Sequence, residues 1–428
     1  MKETFDALER AFGIDKKVIR FCHGVEKNVK DLFEQADENA VINQAKTLAA
    51  MQRAKLSETH FFPATGYGYN DAGRDALERI YADVFNVEST LVRPQIISGT
   101  HALKTTLFGN LRHGDELISP VGKPYDTLEG VIGAREARGS LKEHGVVYKQ
   151  VEFKADGSVD FDGIKAAVTP KTKMASIQRS KGYEWRRALS IPEIKEIIAF
   201  IKGVKSDVIC MVDNCYGEFT DTLEPSDVGA DLTVGSLIKN PGGGLATVGG
   251  YIAGKSLYVE NAAFHLSSPG LGREVGPSLG MTRAFAQGLF LAPSVTASAL
   301  KCAIFASAVF DALGCEVNPK PFEKRSDIVQ AIKMRDAKSV IAFCRGVQKS
   351  APVDSFVTPE PWPMPGYNCD VIMAAGSFIQ GSSIELSADA PLKEPYIAYM
   401  QGGLTWSHAK VGVIIALNHM VKEGLFKV

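Results

Sequence analysis

At 428 residues, 45% hydrophobic and 23% charged, the chain has ordinary globular composition and room for two or three domains. Its 48 basic and 49 acidic residues leave a net charge of −1, which removes any general electrostatic case for binding nucleic acid or an anionic membrane. Seven cysteines, scattered and never spaced as CxxC, argue against a disulfide framework or a structural zinc site and fit a reducing cytoplasm.

Residues 1–60 read as helices, with Phe5, Leu8 and Phe12 and then Val25, Val29, Leu32 and Phe33 at helical spacing. The opening MKETFDALERAFG lacks the apolar stretch of a signal peptide, and no run of about 18 apolar residues suggests a membrane span. Residues 61–73, FFPATGYGYNDAG, predict a loop carrying Tyr67 and Tyr69.

From residue 74 helical and strand-like segments alternate. DALERIYADVF is an amphipathic helix. RPQIISGTHALKTTLFGNL reads as strand, Ser-Gly-Thr turn and helix. DELISP and VVYKQVEF are strands, FDGIKAAV is a helix, and KMASIQRS is a strand ending in polar residues. PEIKEIIAFIKG is a helix with Pro near its start, and DVICMVD and DLTVGS are strands. The expected architecture is α/β, a mostly parallel sheet covered by helices on both faces, with ligands bound beyond the carboxyl ends of the strands. Residues 277–313 predict a long apolar helix broken or kinked at Pro293. Beyond residue 315 a smaller α+β unit is expected: helix SDIVQAIKM, loop TPEPWPMPGYN, strands VIMAAGSF and SIELSA, and helix HAKVGVIIALNHMVKEG. The expected divisions are 1–60, 61–295 and 296–428.

Four features fall at strand ends. Ser98-Gly99-Thr100 opens a helix, where small residues let backbone N–H groups approach a phosphate; a plain N-cap reads the same way. It is neither GxGxxG nor a Walker loop, so dinucleotides and ATP gain no support. Tyr125 offers an aromatic face. Gln178-Arg179-Ser180-Lys181 closes an apolar strand. Asp213 ends the strand DVICMVD, and Lys239 follows Ser236 and precedes Asn-Pro-Gly-Gly-Gly. Pyridoxal phosphate (PLP) needs a lysine amine for its Schiff base and a carboxylate to keep its pyridine nitrogen protonated; Asp213 and Lys239 supply both types. Lysine in a closed site is expected to have a lowered pKa and so to serve as a base.

In this order the features resemble the fold-type I PLP enzymes, and the cystathionine/methionine γ-lyase group in particular. GYGYND, SGTHAL, QRSKGY, VDNCYGEF, SLIKNPGGG and QGGLTWSHA resemble more closely the methionine γ-lyase-like or "aluminium resistance" proteins, over nearly the whole chain. The resemblance implies a large PLP-binding domain and a smaller C-terminal one. It implies that Lys239 forms the Schiff base, that Asp213 pairs with the pyridine nitrogen, and that Tyr125 stacks on the ring and acts in catalysis. Ser98, Gly99, Thr100, Gln178 and Ser236 would complete the cofactor pocket. Tyr67 and Tyr69 would reach a neighbouring subunit's site, in a homodimer or homotetramer. The implied activity is carbon–sulfur elimination from a sulfur amino acid. Aminotransfer, aldol cleavage, racemisation and a weakly catalytic stress role remain open. Departures are the absence of arginine in Tyr67-Gly68-Tyr69-Asn70 and of an evident C-terminal carboxylate-binding arginine. Arg179 is the candidate by position, and Arg345 the weaker one.

Overall fold

The computed structural model describes residues 2–364 and 367–428. Met1, in the expected N-terminal segment, and Pro365 and Gly366, in the expected Pro-rich loop, lie outside the described residues. The chain divides into two compact units: Ile42–Gly182 with Ala188–Ala292, and Met1–Val41 with Tyr183–Arg187 and Pro293–Val428. The expected 1–60 segment is thus shared between them. Leu8, Val18, Ile19, Val25 and Phe33 join Phe305, Phe310 and Phe343 in the core of the second unit, because helices this short need tertiary burial to persist.

The first unit holds a seven-stranded sheet: β1 (Ser89–Arg93), β2 (Glu116–Ser119), β3 (Val147–Gln150), β4 (Thr172–Gln178), β5 (Ile209–Asp213), β6 (Leu232–Ser236) and β7 (Gly250–Gly254). Their order is β1-β7-β6-β5-β4-β2-β3. Every pair is parallel except those made by β7, which is antiparallel to β1 and β6. β5 and β6 are buried at every residue, as expected of strands covered on both faces. Met174, Ile209, Met211 and Val234 pack on one side, and Ile177, Ile194, Ile197 and Val212 belong to a separate core cluster. The helix Ile191–Val204 begins where expected, because Ser190 and Glu193 form a reciprocal capping box with Pro at the first turn.

β1 corrects the expected strand at 93–98: pairing to β7 ends at Arg93, and a turn follows before the helix Gly99–Asn110. The helix Thr282–Ala312 continues through Pro293. It is long and apolar enough to cross a membrane by length and composition, although it contains no unbroken run of about 18 apolar residues. Its most apolar stretch is 72% buried in protein, as in a core helix.

The second unit carries a sheet of β8 (Glu316–Asn318), β9 (Gln330–Lys333), β10 (Trp362–Pro363), β11 (Asp370–Ala374), β12 (Ser387–Pro391) and β13 (Ile397–Gln401). Its order is β10-β11-β12-β13-β9-β8, antiparallel throughout. SDIVQAIKM, expected as a helix, is strand β9. Gln330, Ala331 and Ile332 are buried between β8 and β13, and a short buried run has no periodicity to separate helix from strand. The helix Ala337–Lys349, capped by Asp336, was not expected.

Asp231 directly precedes β6 in the first unit. It is buried, and its carboxylate accepts from Lys202 Nζ (2.6 Å) and the Cys210 N–H (2.8 Å) and pairs with Lys255 (2.7 Å). Burial would raise its pKa, but these partners bring it below the ordinary carboxylate value. A depressed folded-state pKa contributes stability above the unfolded value, near about pH 4, and that stability is lost as pH falls through the folded value. The urea midpoint should therefore drop between about pH 5 and pH 3, and Asp231→Asn should flatten that acid limb.

Candidate active site

Three strand ends and one helix start converge. Gln178 is paired with Asp213 across β4 and β5, Asp213 with Val234 across β5 and β6, and Ser236 closes β6. The helix Gly99–Asn110 begins against them: a Cβ on Gly99 would lie 3.3 Å from Ser236 Cβ and 3.3 Å from Cys215 Sγ. Ser98 is the N-cap, its hydroxyl accepting from the His101 N–H (3.1 Å), and the Thr100 hydroxyl is bonded to that of Thr127 (2.6 Å). Tyr125 starts the helix Asp126–Ile132 and packs by Gly182, where a Cβ would lie 3.3 Å from both the Tyr125 ring and Gln178 Nε2. Gly182 has φ +57°, a conformation glycine adopts without cost.

Lys239 is partly buried at the turn after β6, and its Nζ stands 3.9 Å above the centre of the Tyr216 ring. Tyr216 has φ +72° and Phe219 φ +61°, both in the left-handed region that costs a bulky residue about 1–3 kcal/mol. The strained turn Asn214–Phe219 is what brings Tyr216 under the amine. Burial by itself would lower the Lys239 pKa, but Cys215, Tyr216, Asp213 and Glu218 outweigh it and hold the amine above its ordinary value. This reverses the expected lowering: the acidic surroundings win over desolvation. Burial raises the Asp213 carboxyl, opposed by Lys239 and by Cys215, whose N–H donates to Oδ1 (3.1 Å).

Arg179 is fully buried. It donates to Asn214 Oδ1 (2.7 Å) and Thr220 Oγ1 (3.2 Å) and lies 3.5 Å from the Glu224 carboxylate. Its guanidinium is thus engaged with Asn214, Thr220 and Glu224. Arg345 lies on the helix Ala337–Lys349 of the second unit, paired with Glu360. Tyr67 and Tyr69 are exposed (74% and 55%), their rings 5.7 Å apart.

An anionic cofactor fits the pocket. Among the described residues Ser236 Oγ is buried without a hydrogen-bond partner, at the N-terminus of a twelve-residue helix and beside Gly99, where a Cβ would lie 3.3 Å from Ser236 Cβ. A phosphate oxygen answers that orphaned hydroxyl and the helix dipole together.

The sequence model described as Methionine gamma-lyase matches residues 18–421. The chain belongs to the methionine gamma-lyase family. It is 51% identical to YnbB of Bacillus subtilis (strain 168) over 403 residues, 94% of this chain and 96% of that protein. A crystal structure of a carbon-sulfur lyase involved in aluminum resistance from Clostridium novyi NT is 50% identical, with a TM-score of 0.94 over 98% of this chain and 100% of that one. At the level of fold alone, the pyridoxal-5'-phosphate dependent protein YhfS from Escherichia coli superposes with a TM-score of 0.60 at 14% identity, covering 90% of this chain and 97% of YhfS. The fold is that of the fold-type I PLP enzymes, with a large, mostly parallel sheet and a C-terminal antiparallel one.

Sequence reading missed Tyr216, Glu218 and Tyr251. The signal available was the run NCYGEF directly after Asp213, in which a glutamate follows an apolar strand by only a few residues.

Proposed function

We propose that the protein is a PLP-dependent carbon–sulfur lyase that eliminates a thiol from a sulfur amino acid. Family membership supports lyase chemistry, and the observation that carries the reading is Asp213 and Ser236 at adjacent strand ends with Lys239 in the turn that follows, the Ser236 hydroxyl having no hydrogen-bond partner among the described residues. When bound, PLP supplies a carbonyl for amine exchange and a protonated ring that accepts the electron pair left by Cα–H cleavage.

The chain's own residues then have distinct tasks. Asp213 holds a proton at the ring nitrogen, because its buried carboxylate ends β5. Ser236 Oγ and the first N–H groups of the helix Gly99–Asn110 hold the phosphate. Tyr125 would cover the ring, with Gly182 and Gln178 packed beside it. Lys239 would hold the cofactor through its amine and would be the group placed to move the proton at Cα. The thiol leaves with a proton, and water completes release of ammonia and a 2-oxo acid. Tyr67 and Tyr69 are the residues offered to a second copy of the chain, and their exposure supports that assembly. The free cysteines support a reducing, cytoplasmic setting.

Adding L-cystathionine to the PLP-loaded protein tests the reading. The expected result is a change in visible absorbance with thiol and 2-oxo acid formed together. An unresponsive absorbance, with no product from cystathionine, methionine or cysteine, would overturn it. Alanine racemised or transaminated instead would assign a different PLP reaction.

A further inference from the structure

Two buried arginines of the first unit take no part in the proposed chemistry. Arg74 lies on the helix Ala72–Val84 and Arg93 ends β1. Glu78, one helical turn on from Arg74, is their shared anchor point. Its buried carboxylate pairs with Arg93 (2.6 Å) and Arg273 (3.1 Å) and accepts from the Val92 N–H (3.1 Å). Arg74 pairs with Asp75 (2.9 Å).

The remaining donors all go to one stretch of irregular backbone. Arg93 Nη2 donates to the Arg273 carbonyl (2.9 Å) and Nη1 to the Val275 carbonyl (2.7 Å). Arg74 Nη1 reaches the carbonyls of Glu274 (3.4 Å) and Gly276 (3.3 Å), and Gln95 Nε2 donates to that of Pro277 (2.7 Å). The Asp71 carboxylate accepts the next N–H, that of Ser278 (2.7 Å). Burying this much charge is costly, and here it holds every carbonyl from 273 to 277.

The Tyr67–Tyr69 loop is docked on that stretch. The Gly276 N–H donates to the Tyr67 carbonyl (3.0 Å) and the Leu279 N–H to the Ala64 carbonyl (3.2 Å). Arg74 Nη1 also donates to the Gly68 carbonyl (2.8 Å). A Cβ on Gly68 would lie 2.6 Å from Pro277 Cα, so the two loops meet backbone to backbone. The surface they present is apolar: Phe62, Tyr67, Tyr69 and Leu279 are exposed, and so is Ile97, directly before the Ser98 cap of the phosphate cradle. A patch of this kind marks a protein contact. Tyrosine loop and cradle lip lie on one unit, so a two-fold self-contact can set each loop against the other copy's lip reciprocally, which favours a second copy as the occupant.

We propose that Arg74 and Arg93, with Glu78 and Asp71, are positioning residues for the Tyr67–Tyr69 loop: they preform in the single chain the apolar surface that a second copy meets. The inference rests on the reading that these tyrosines are offered to a second copy. A loop already held in its bound shape loses little freedom on association, so the assembly is tighter and longer-lived.

The test is subunit exchange between two fluorescently labelled pools of the full-length protein, followed by energy transfer, with urea midpoints measured alongside. Gly68→Ala should exchange about tenfold faster than wild type, because the added Cβ parts the loops without touching a buried charge. Gly66→Ala is the control. It has the same left-handed backbone (φ +64° against +68°), but its Cβ meets nothing within 4 Å among the described residues, so it should exchange like wild type. Arg74→Lys keeps the charge beside Asp75 and loses the forked donors, and should also exchange faster. Equal exchange in wild type, Gly68→Ala and Arg74→Lys would overturn the proposal, as would Gly66→Ala exchanging as fast as Gly68→Ala. If Arg74→Lys does not fold, Gly68→Ala against Gly66→Ala decides. Tyr67→Ala probes the underlying reading and should exchange faster. A wild type that sediments as a monomer, or Tyr67→Ala exchanging like wild type, would overturn that reading and the proposal with it; neither result resembles a failure of the arginine frame alone.

Discussion

Lys239→Ala should abolish the visible absorbance of the PLP-loaded protein and reduce turnover about a thousandfold or more. The argument is geometric. Within the pocket of Ser236, Gly99 and Asp213, Lys239 is the amine held by Tyr216 and by the acidic turn Asn214–Phe219. Its removal takes away both the covalent anchor and the base for the Cα proton. The fold should survive, because the turn that follows is held independently: Asn240 bonds the Glu218 carbonyl, and the Gly243 N–H bonds the Asn240 carbonyl. A variant that keeps the wild-type absorbance would refute the assignment, whatever its activity. Loss of absorbance with loss of folding would be exposed by the urea midpoint, which should move little.

Arg179→Met should cost about 3–5 kcal/mol of stability rather than substrate affinity. Removing the guanidinium leaves the Glu224 carboxylate buried without its counter-charge, and Asn214 and Thr220 lose a donor. Burial already raises Glu224, with Arg179 the first of the groups opposing it, so the variant should take up a proton there on folding. The measurement is urea unfolding of wild type and variant at neutral pH. A rise in KM with an unchanged midpoint would instead return Arg179 to the substrate-binding role that its sequence position suggested. Glu224→Gln combined with Arg179→Met should recover part of the loss, because the two effects share one pair.

Arg179 lies one residue beyond a strand end, beside Gln178, and position alone could not separate the two. The parallel register pairs Gln178 with Asp213, whereas the Arg179 N–H bonds the Asp213 carbonyl and its side chain is driven inward among Asn214, Thr220 and Glu224. A strand alternates its side chains between faces, so a one-residue step changes a ligand-facing position into a buried one. β9 was misread for a related reason: a strand buried on both faces shows no alternation.

The sequence by itself determined the strand–helix alternation, the capped helix Ile191–Val204, and the order Gly99, Tyr125, Asp213, Ser236, Lys239, because these depend on local spacing and residue type. Only the tertiary structure decided that Tyr216 lies beneath the lysine amine, that Glu218 and Tyr251 form a buried pair, and that Arg179 is buried against Glu224. Those three facts depend on how a left-handed turn after β5 meets an antiparallel β7 and on which charges are removed from water together. No local pattern encodes desolvation by residues that are distant along the chain.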